Sequence, residues 1–125
     1  MNLIEIFSII LIHWLADFVL QTDWQAQNKS KSNKALTHHV TTYALVWFFV
    51  MNVLFIRTNN YLMLSVFPVI TFICHWITDY FTSRLNSKLL AKGDTHNFFV
   101  SVGFDQVLHY VQLFLTYYFL KNYSL

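Results

Sequence analysis

The chain has 125 residues, of which 56% are hydrophobic, 19% aromatic and only 11% charged, and its formal net charge is +2. Because soluble domains average about 25% charged residues, this composition favours a membrane protein, and the length allows one domain. The small net charge, with no basic aromatic array, argues against nucleic-acid binding.

Four apolar runs follow one another, each with roughly the 20 residues that a spanning helix requires. They predict an all-α polytopic membrane protein, a bundle of four transmembrane helices at about residues 2–21, 38–56, 61–83 and 97–120. The whole chain, 1–125, is then one integral membrane domain. The link at 25–36 predicts either an interfacial helix, since Trp24 suits the headgroup level, or a solvated loop.

The cationic residues are concentrated in the first and third links between these runs. Six of the eight Lys and Arg residues lie there: Lys29, Lys31, Lys34, Arg84, Lys88 and Lys92. Because cytoplasmic loops carry the Lys and Arg excess, we expect a multi-pass protein of the inner cell membrane. The two basic links would be cytoplasmic and both termini would lie outside the cytoplasm.

Three of the runs carry a histidine and an aspartate four residues apart, a spacing that puts both side chains on one helix face. The pairs are His13 with Asp17, His75 with Asp79, and Asp105 with His109. The order is reversed in the third pair, but its helix runs in the opposite direction. All three aspartates are therefore expected nearer the basic links, with each histidine about 6 Å deeper. His38 and His39 begin the second run at the same level.

Ionisable groups inside a bilayer are costly and usually face a partner at a functional site. Imidazole and carboxylate ligands without thiolates suit a divalent metal such as Zn²⁺, Mn²⁺ or Fe²⁺. The predicted ligands are His13, Asp17, His38, His39, His75, Asp79, Asp105 and His109. The aspartates Asp17, Asp79 and Asp105 are also the candidate catalytic carboxylates. A metal with an open coordination position would supply a hydroxide nucleophile for hydrolysis.

These motifs occur in a fixed order over about residues 10–115. The order is His13-x-x-x-Asp17, Gln21-Thr-Asp23-Trp24, the Asn28-Lys29-Ser30-Lys31 link, His38 or His39, His75-x-x-x-Asp79, and Phe104-Asp105-Gln106-x-x-His109. Together they resemble a family of small bacterial and phage membrane proteins catalogued as domain of unknown function (DUF) 3307. The resemblance implies a multi-helix membrane protein and carries no established activity.

A weaker resemblance is to the membrane-bound metal-dependent hydrolases of the LexA-binding, inner-membrane type. Thr37-His38 and His75-x-x-x-Asp79 are similar to two of that family's elements, but Asn33-Lys34-Ala35 stands where the family has His-Arg-Gly. This resemblance implies hydrolase activity at the membrane.

Three functions stay open at this point. The first is a metal-dependent hydrolase that acts on a lipid or other amphiphile at the cytoplasmic face. The second is a proton or metal-ion transporter or channel subunit, because His–Asp chains suit proton relays and Gln112 and Thr116 extend the fourth polar stripe. Four helices are few for a transporter, so this function requires a homo-oligomer. The third is a non-enzymatic interaction or scaffold protein whose polar pairs only fix helix packing.

Overall fold

The computed structural model describes residues 1–123, which fold into helices without a β-strand. The α-helices of this part of the chain are α1 (Leu3–Trp14), α2 (Asp23–Asn28), α3 (Asn33–Phe55), α4 (Phe67–Ala91) and α5 (Thr95–Asn122). A π-helical turn, Leu15–Val19, continues α1, and a second, Leu62–Val66, leads into α4. A 3-10 turn, Ile56–Thr58, follows α3. The prediction of an all-α protein is confirmed.

Polar side chains cap the helix starts and so fix where the elements begin. The side chain of Asn2 accepts the Glu5 backbone N–H, while the Glu5 carboxylate accepts that of Asn2. Thr22 and Gln25 form the same reciprocal capping box at α2, and Ser32 caps α3. Such caps satisfy backbone donors that the first helical turn leaves free. The link at 25–36 contains most of a short helix, α2, the connecting residues 29–32 and the first turn of α3.

The prediction of four spanning helices is wrong for the first one. Three helical segments of the described chain are long and apolar enough to cross a membrane: Asn33–Thr58, Leu62–Ala91 and Thr95–Asn122. This is consistent with a membrane protein. The first α-helix has only 12 residues, and even with its π-helical turn it stays below the roughly 20 residues needed. The Leu20 N–H bonds to the Leu15 carbonyl, and the Thr22 cap then starts a separate helix.

The third run forms a helix that continues well past its predicted end at residue 83, as far as Ala91. It ends where Gly93 takes φ +73°. The Gly93 N–H bonds to the Leu90 carbonyl and the Asp94 N–H to the Leu89 carbonyl, both at 3.0 Å. This is the Schellman arrangement, which favours glycine. Arg84 and Lys88 therefore stand on α4 and not in a loop, because hydropathy marks the end of an apolar run and not of a helix.

The four longer helices alternate in direction. His13 of α1 bonds to Tyr43 of α3, and Glu5 bonds to Tyr117 near the end of α5, so α1 runs opposite to both. The His39–His75 and Trp47–Phe67 contacts make α3 and α4 antiparallel. The Asp79–His109 and Thr71–Gln112 bonds do the same for α4 and α5.

Each of the three long helices buries a row of side chains at four-residue intervals. The rows are His39, Tyr43, Trp47 and Met51 on α3; Phe67, Thr71, His75 and Asp79 on α4; and Asp105, His109, Leu113 and Tyr117 on α5. Residues four apart share a helix face. Because the helices alternate in direction, the ionisable members of all three rows meet in one half of the bundle interior.

Two halves of the interior are thereby distinguished. The polar half contains His13, Asp17, His39, His75, Asp79, Asp105 and His109. The apolar half contains Trp47, Met51, Met63, Phe67 and Leu113, each at most 1% exposed.

Candidate metal centre

The π-helical turn after α1 brings Asp17 against the histidines of α3 and α4. Asp17 Oδ1 lies 3.0 Å from His39 Nε2 and 3.4 Å from His75 Nε2, and these two ring nitrogens are 3.2 Å apart. Asp79 completes the group, with Oδ2 3.4 Å from His39 Nε2 and Oδ1 3.6 Å from His75 Nε2. One ligand atom from each of the four residues lies within 4.8 Å of the others. Two nitrogens and two carboxylates therefore converge at one buried position.

A second group shares Asp79 with the first. His109 Nε2 lies 3.1 Å from Asp79 Oδ1 and 3.4 Å from Asp105 Oδ1. The Thr82 hydroxyl donates to Asp105 Oδ1 at 2.5 Å, and the Gln106 amide donates to Asp105 Oδ2 at 3.0 Å. Asp105 is thus held by α4 and by its own helix, and it stands beside the first group.

Aromatic stacking holds the imidazoles in place. The His75 ring lies between the rings of Tyr43 and His109, with centroids 4.0 and 4.1 Å away. Nδ1 of His39 and of His75 is buried without a hydrogen-bond partner among residues 1–123. Their polar contacts in this part of the chain are consequently made through Nε2, the atom that faces the carboxylates.

The sequence did not indicate the lysine that joins this cluster. Lys29 follows α2, and its Nζ lies 2.9 Å from Asp79 Oδ2 and 3.3 Å from His39 Nε2. Burial by itself would lower the pKa of Lys29, but attraction to Asp79 and Asp17 outweighs it and the pKa is raised above its ordinary value. Nothing in the sequence separates Lys29 from its neighbours Lys31 and Lys34, because only the packing of α2 selects it.

The structure brings most of the predicted ligands together. Six of the eight belong to the two groups: Asp17, His39, His75, Asp79, Asp105 and His109. His13 lies next to them, 3.7 Å from Asp17, with its ring nitrogens bonded to Tyr43 and Gln106. His38 is exposed outside the cluster, with its ring edge against Trp24.

Next to the polar half, a short group of hydrogen-bonded side chains borders the apolar half. The Gln112 amide donates to the hydroxyls of Thr71 and Thr116 at 3.3 and 3.1 Å. The apolar half follows, and at its far end Glu5 accepts from Tyr117 and Lys121. Two polar regions at opposite ends of the bundle are therefore separated by tightly buried apolar side chains.

The chain matches a known protein family. A model of the family described as "Protein of unknown function (DUF3307)" matches residues 6–125. Neither a curated protein nor a solved structure shows significant similarity to the chain. The match includes every residue of the polar half, so this cluster lies within the family region.

Proposed function

Because the chain belongs to the DUF3307 family, whose description names no activity, we propose a function from the site itself: a metal-dependent membrane hydrolase acting on a lipid or other amphiphile. Its centre would be held by Asp17, His39, His75 and Asp79. The Lys and Arg bias of the adjoining links supports a position at the cytoplasmic face.

The observation that carries this proposal is the spacing of the ligand atoms. The nearest contacts of the two histidines with each other and with the two carboxylates fall between 3.0 and 3.6 Å, and one ligand atom from each of the four residues lies within 4.8 Å of the others. With bonds of about 2.0–2.1 Å, as for zinc to nitrogen or oxygen, tetrahedral ligands stand about 3.3 Å apart. The donor set of imidazole and carboxylate suits Zn²⁺, Mn²⁺ or Fe²⁺.

Hydrogen bonding alone does not satisfy this arrangement. His39 Nε2 is within 3.3 Å of a carboxylate oxygen, an imidazole nitrogen and an ammonium nitrogen. A ring nitrogen has either one proton or one lone pair, so it cannot serve all three contacts. A cation at the centre would instead accept the lone pairs of His39, His75 and the two carboxylates together.

A divalent ion would balance the charge of the cluster when its imidazoles are neutral. With the imidazoles neutral, three buried carboxylates face only the ammonium of Lys29. Two negative charges are then left uncompensated, and a buried charge without a partner is strongly unfavourable. One divalent cation would compensate them.

Asp105 is the best candidate for the general base, because it lies outside the four-ligand group and its position is fixed by Thr82 and Gln106. A metal with an open position would make its bound water acidic. Asp105 would take the proton of the attacking water and return it to the leaving oxygen of the cleaved ester.

Metal analysis of the protein, purified in native-like lipid, tests the proposal. We expect about one equivalent of metal, lost in His75→Ala and retained in His38→Ala, a matched histidine outside the cluster. Hydrolysis of ester and phosphoester amphiphiles should disappear with the metal. A native protein without metal, or a metal content unchanged in His75→Ala, would refute the proposal.

A second candidate is a proton or metal-ion transporter subunit, supported by the Thr71–Gln112–Thr116 hydrogen bonds that lead from the site towards the far end. Two protonated imidazoles would compensate the cluster charge as well as a divalent ion would. Ion flux into liposomes that is lost in Asp105→Asn would favour transport. The apolar half argues against a continuous path within one chain.

A further inference from the structure

A cavity of about 380 Å³ opens beside the polar half, between the turn that follows α2, the end of α4 and the start of α5. Lys29 connects the cavity to the candidate metal centre, because it lines the cavity and its Nζ lies 2.9 Å from Asp79. A molecule in this cavity would therefore lie next to the cluster.

The polar lining of the cavity is suited to an anion. Lys29 and Lys31 contribute positive charge, and several hydroxyl and amide side chains accompany them. The described residues that line the cavity include no carboxylate. Lysine together with such donors is a common environment for phosphate oxygens.

Two buried polar atoms of the lining residues have no hydrogen-bond partner within residues 1–123. Ser83 Oγ and Asn86 Oδ1 are inaccessible to solvent, and neither makes a hydrogen bond among the described residues. Both belong to α4, and both residues line the cavity. An unpaired buried polar group is destabilising by about 1–3 kcal/mol, so both side chains would be stabilised by a polar ligand beside them. The Ser83 hydroxyl and the Asn86 amide N–H groups can donate to phosphate oxygens, whereas Asn86 Oδ1 can only accept.

Part of the lining is apolar. The apolar lining residues are Leu90 at the end of α4, on the helix face of Ser83 and Ser87, and Phe98 and Val102, one turn apart on α5. Leu90 is 59% exposed, and its side chain is therefore available for contact with hydrocarbon. One cavity thus offers cationic and hydrogen-bonding groups together with apolar lining residues.

We infer that this cavity binds a phosphate-bearing amphiphile, with the phosphate at Lys31, Ser83 and Asn86 and the hydrocarbon along Leu90, Phe98 and Val102. The inference rests on the proposed function in one respect, since it names the substrate class of that site. The binding step itself requires no metal.

The experiment measures binding of short-chain phosphatidic acid to the purified, metal-depleted protein by titration calorimetry. Two further arms use phosphatidylcholine of the same chain length and inorganic phosphate. We expect phosphatidic acid to bind most tightly. Lys31→Ala and Asn86→Leu should each weaken binding about tenfold, as expected for the loss of one charge-assisted or buried hydrogen bond. Lys34→Ala, an exposed lysine of the same link outside the cavity, should leave binding unchanged.

Three results would overturn the inference. Equal binding of phosphatidylcholine would show that the head-group charge is not recognised. Equal binding of inorganic phosphate would show that the apolar lining residues play no part. An equal loss in Lys34→Ala would indicate general surface attraction. Circular dichroism and the melting temperature establish that Lys31→Ala and Asn86→Leu are folded, and Ser83→Ala provides a further variant with minimal change of volume.

The proposed hydrolase function and the proposed lipid binding can be refuted independently of each other. His75→Ala should lose metal but still bind phosphatidic acid. A protein that retains its metal but binds no amphiphile would refute the cavity inference alone, whereas a protein that binds the amphiphile but never metal would refute the proposed hydrolase alone.

Discussion

The polar and apolar halves of the interior are built on the same helices and in the same four-residue rows, yet they differ in what their side chains require. In the apolar half, Trp47 and Phe67 pack ring to ring, and the Trp47 Nε1–H is buried without a hydrogen-bond partner among the described residues. In the polar half, His39 makes more polar contacts than one ring nitrogen can satisfy. The apolar half has a single uncharged N–H without a partner, whereas the polar half has several imidazoles and carboxylates that converge on one position. Burial, or one unpaired polar atom, therefore does not distinguish packing from a site, but the convergence of several ligand atoms does.

The largest effect is expected in the apolar half. Trp47→Ala should reduce the free energy of unfolding by about 3–5 kcal/mol, because it leaves a large cavity in close-packed surroundings. Unfolding in mixed micelles measures this loss, and it should be the same with and without a chelator. If the loss appeared only in the presence of metal, the stability of the apolar half would depend on the metal centre and the two halves would not be independent.

In the polar half, Asp17→Asn should weaken metal affinity by about 100-fold or more, since loss even of a supporting hydrogen bond to a ligand costs 10–100-fold. Competition with a chromophoric chelator measures the affinity. In metal-depleted protein the same substitution should leave stability unchanged or raise it, because it removes one of the crowded carboxylates. Destabilisation of the metal-depleted protein by several kcal/mol would instead favour a purely structural role for the cluster.

A smaller effect is expected from the support of Asp105. Thr82→Val removes the hydroxyl that bonds to Asp105 Oδ1 while keeping the side-chain shape. The rate of amphiphile hydrolysis should fall about tenfold, because Asp105 is the proposed general base. Thr41→Val is the matched control, because its hydroxyl bonds to the Thr37 carbonyl of its own helix on the exposed side. Equal effects of the two variants would assign the loss to general helix destabilisation.

The smallest effect is expected at the far end of the bundle, where Lys121 pairs with Glu5. Both side chains are partly accessible, and such pairs contribute about 0.2–1 kcal/mol. Lys121→Ala should lower the unfolding free energy by no more than that and leave metal content unchanged. A change in metal content would mean that the two ends are coupled through the apolar half.

The sequence by itself determined the helical class, the three His–Asp spacings and their common direction. These properties depend on local rules: apolar runs long enough to form helices, a period that places residues four apart on one face, and the reversal of direction between consecutive helices. The inverted order of Asp105 and His109 follows from the last of these rules, because an antiparallel helix must carry the pair in reverse to present it at the same level.

Other features depended on tertiary packing. The choice of His39 over His38 follows from which face of α3 meets α4, and two adjacent histidines do not reveal that face. Lys29 joins the buried cluster because the short helix α2 packs back against the bundle. The first helical segment ends after the π-helical turn at Leu15–Val19, where Thr22 caps a separate helix, and the apolar run itself does not mark this end. Hydropathy and helical periodicity describe one helix at a time, whereas the convergence of charged groups on one position is a property of how several helices pack together.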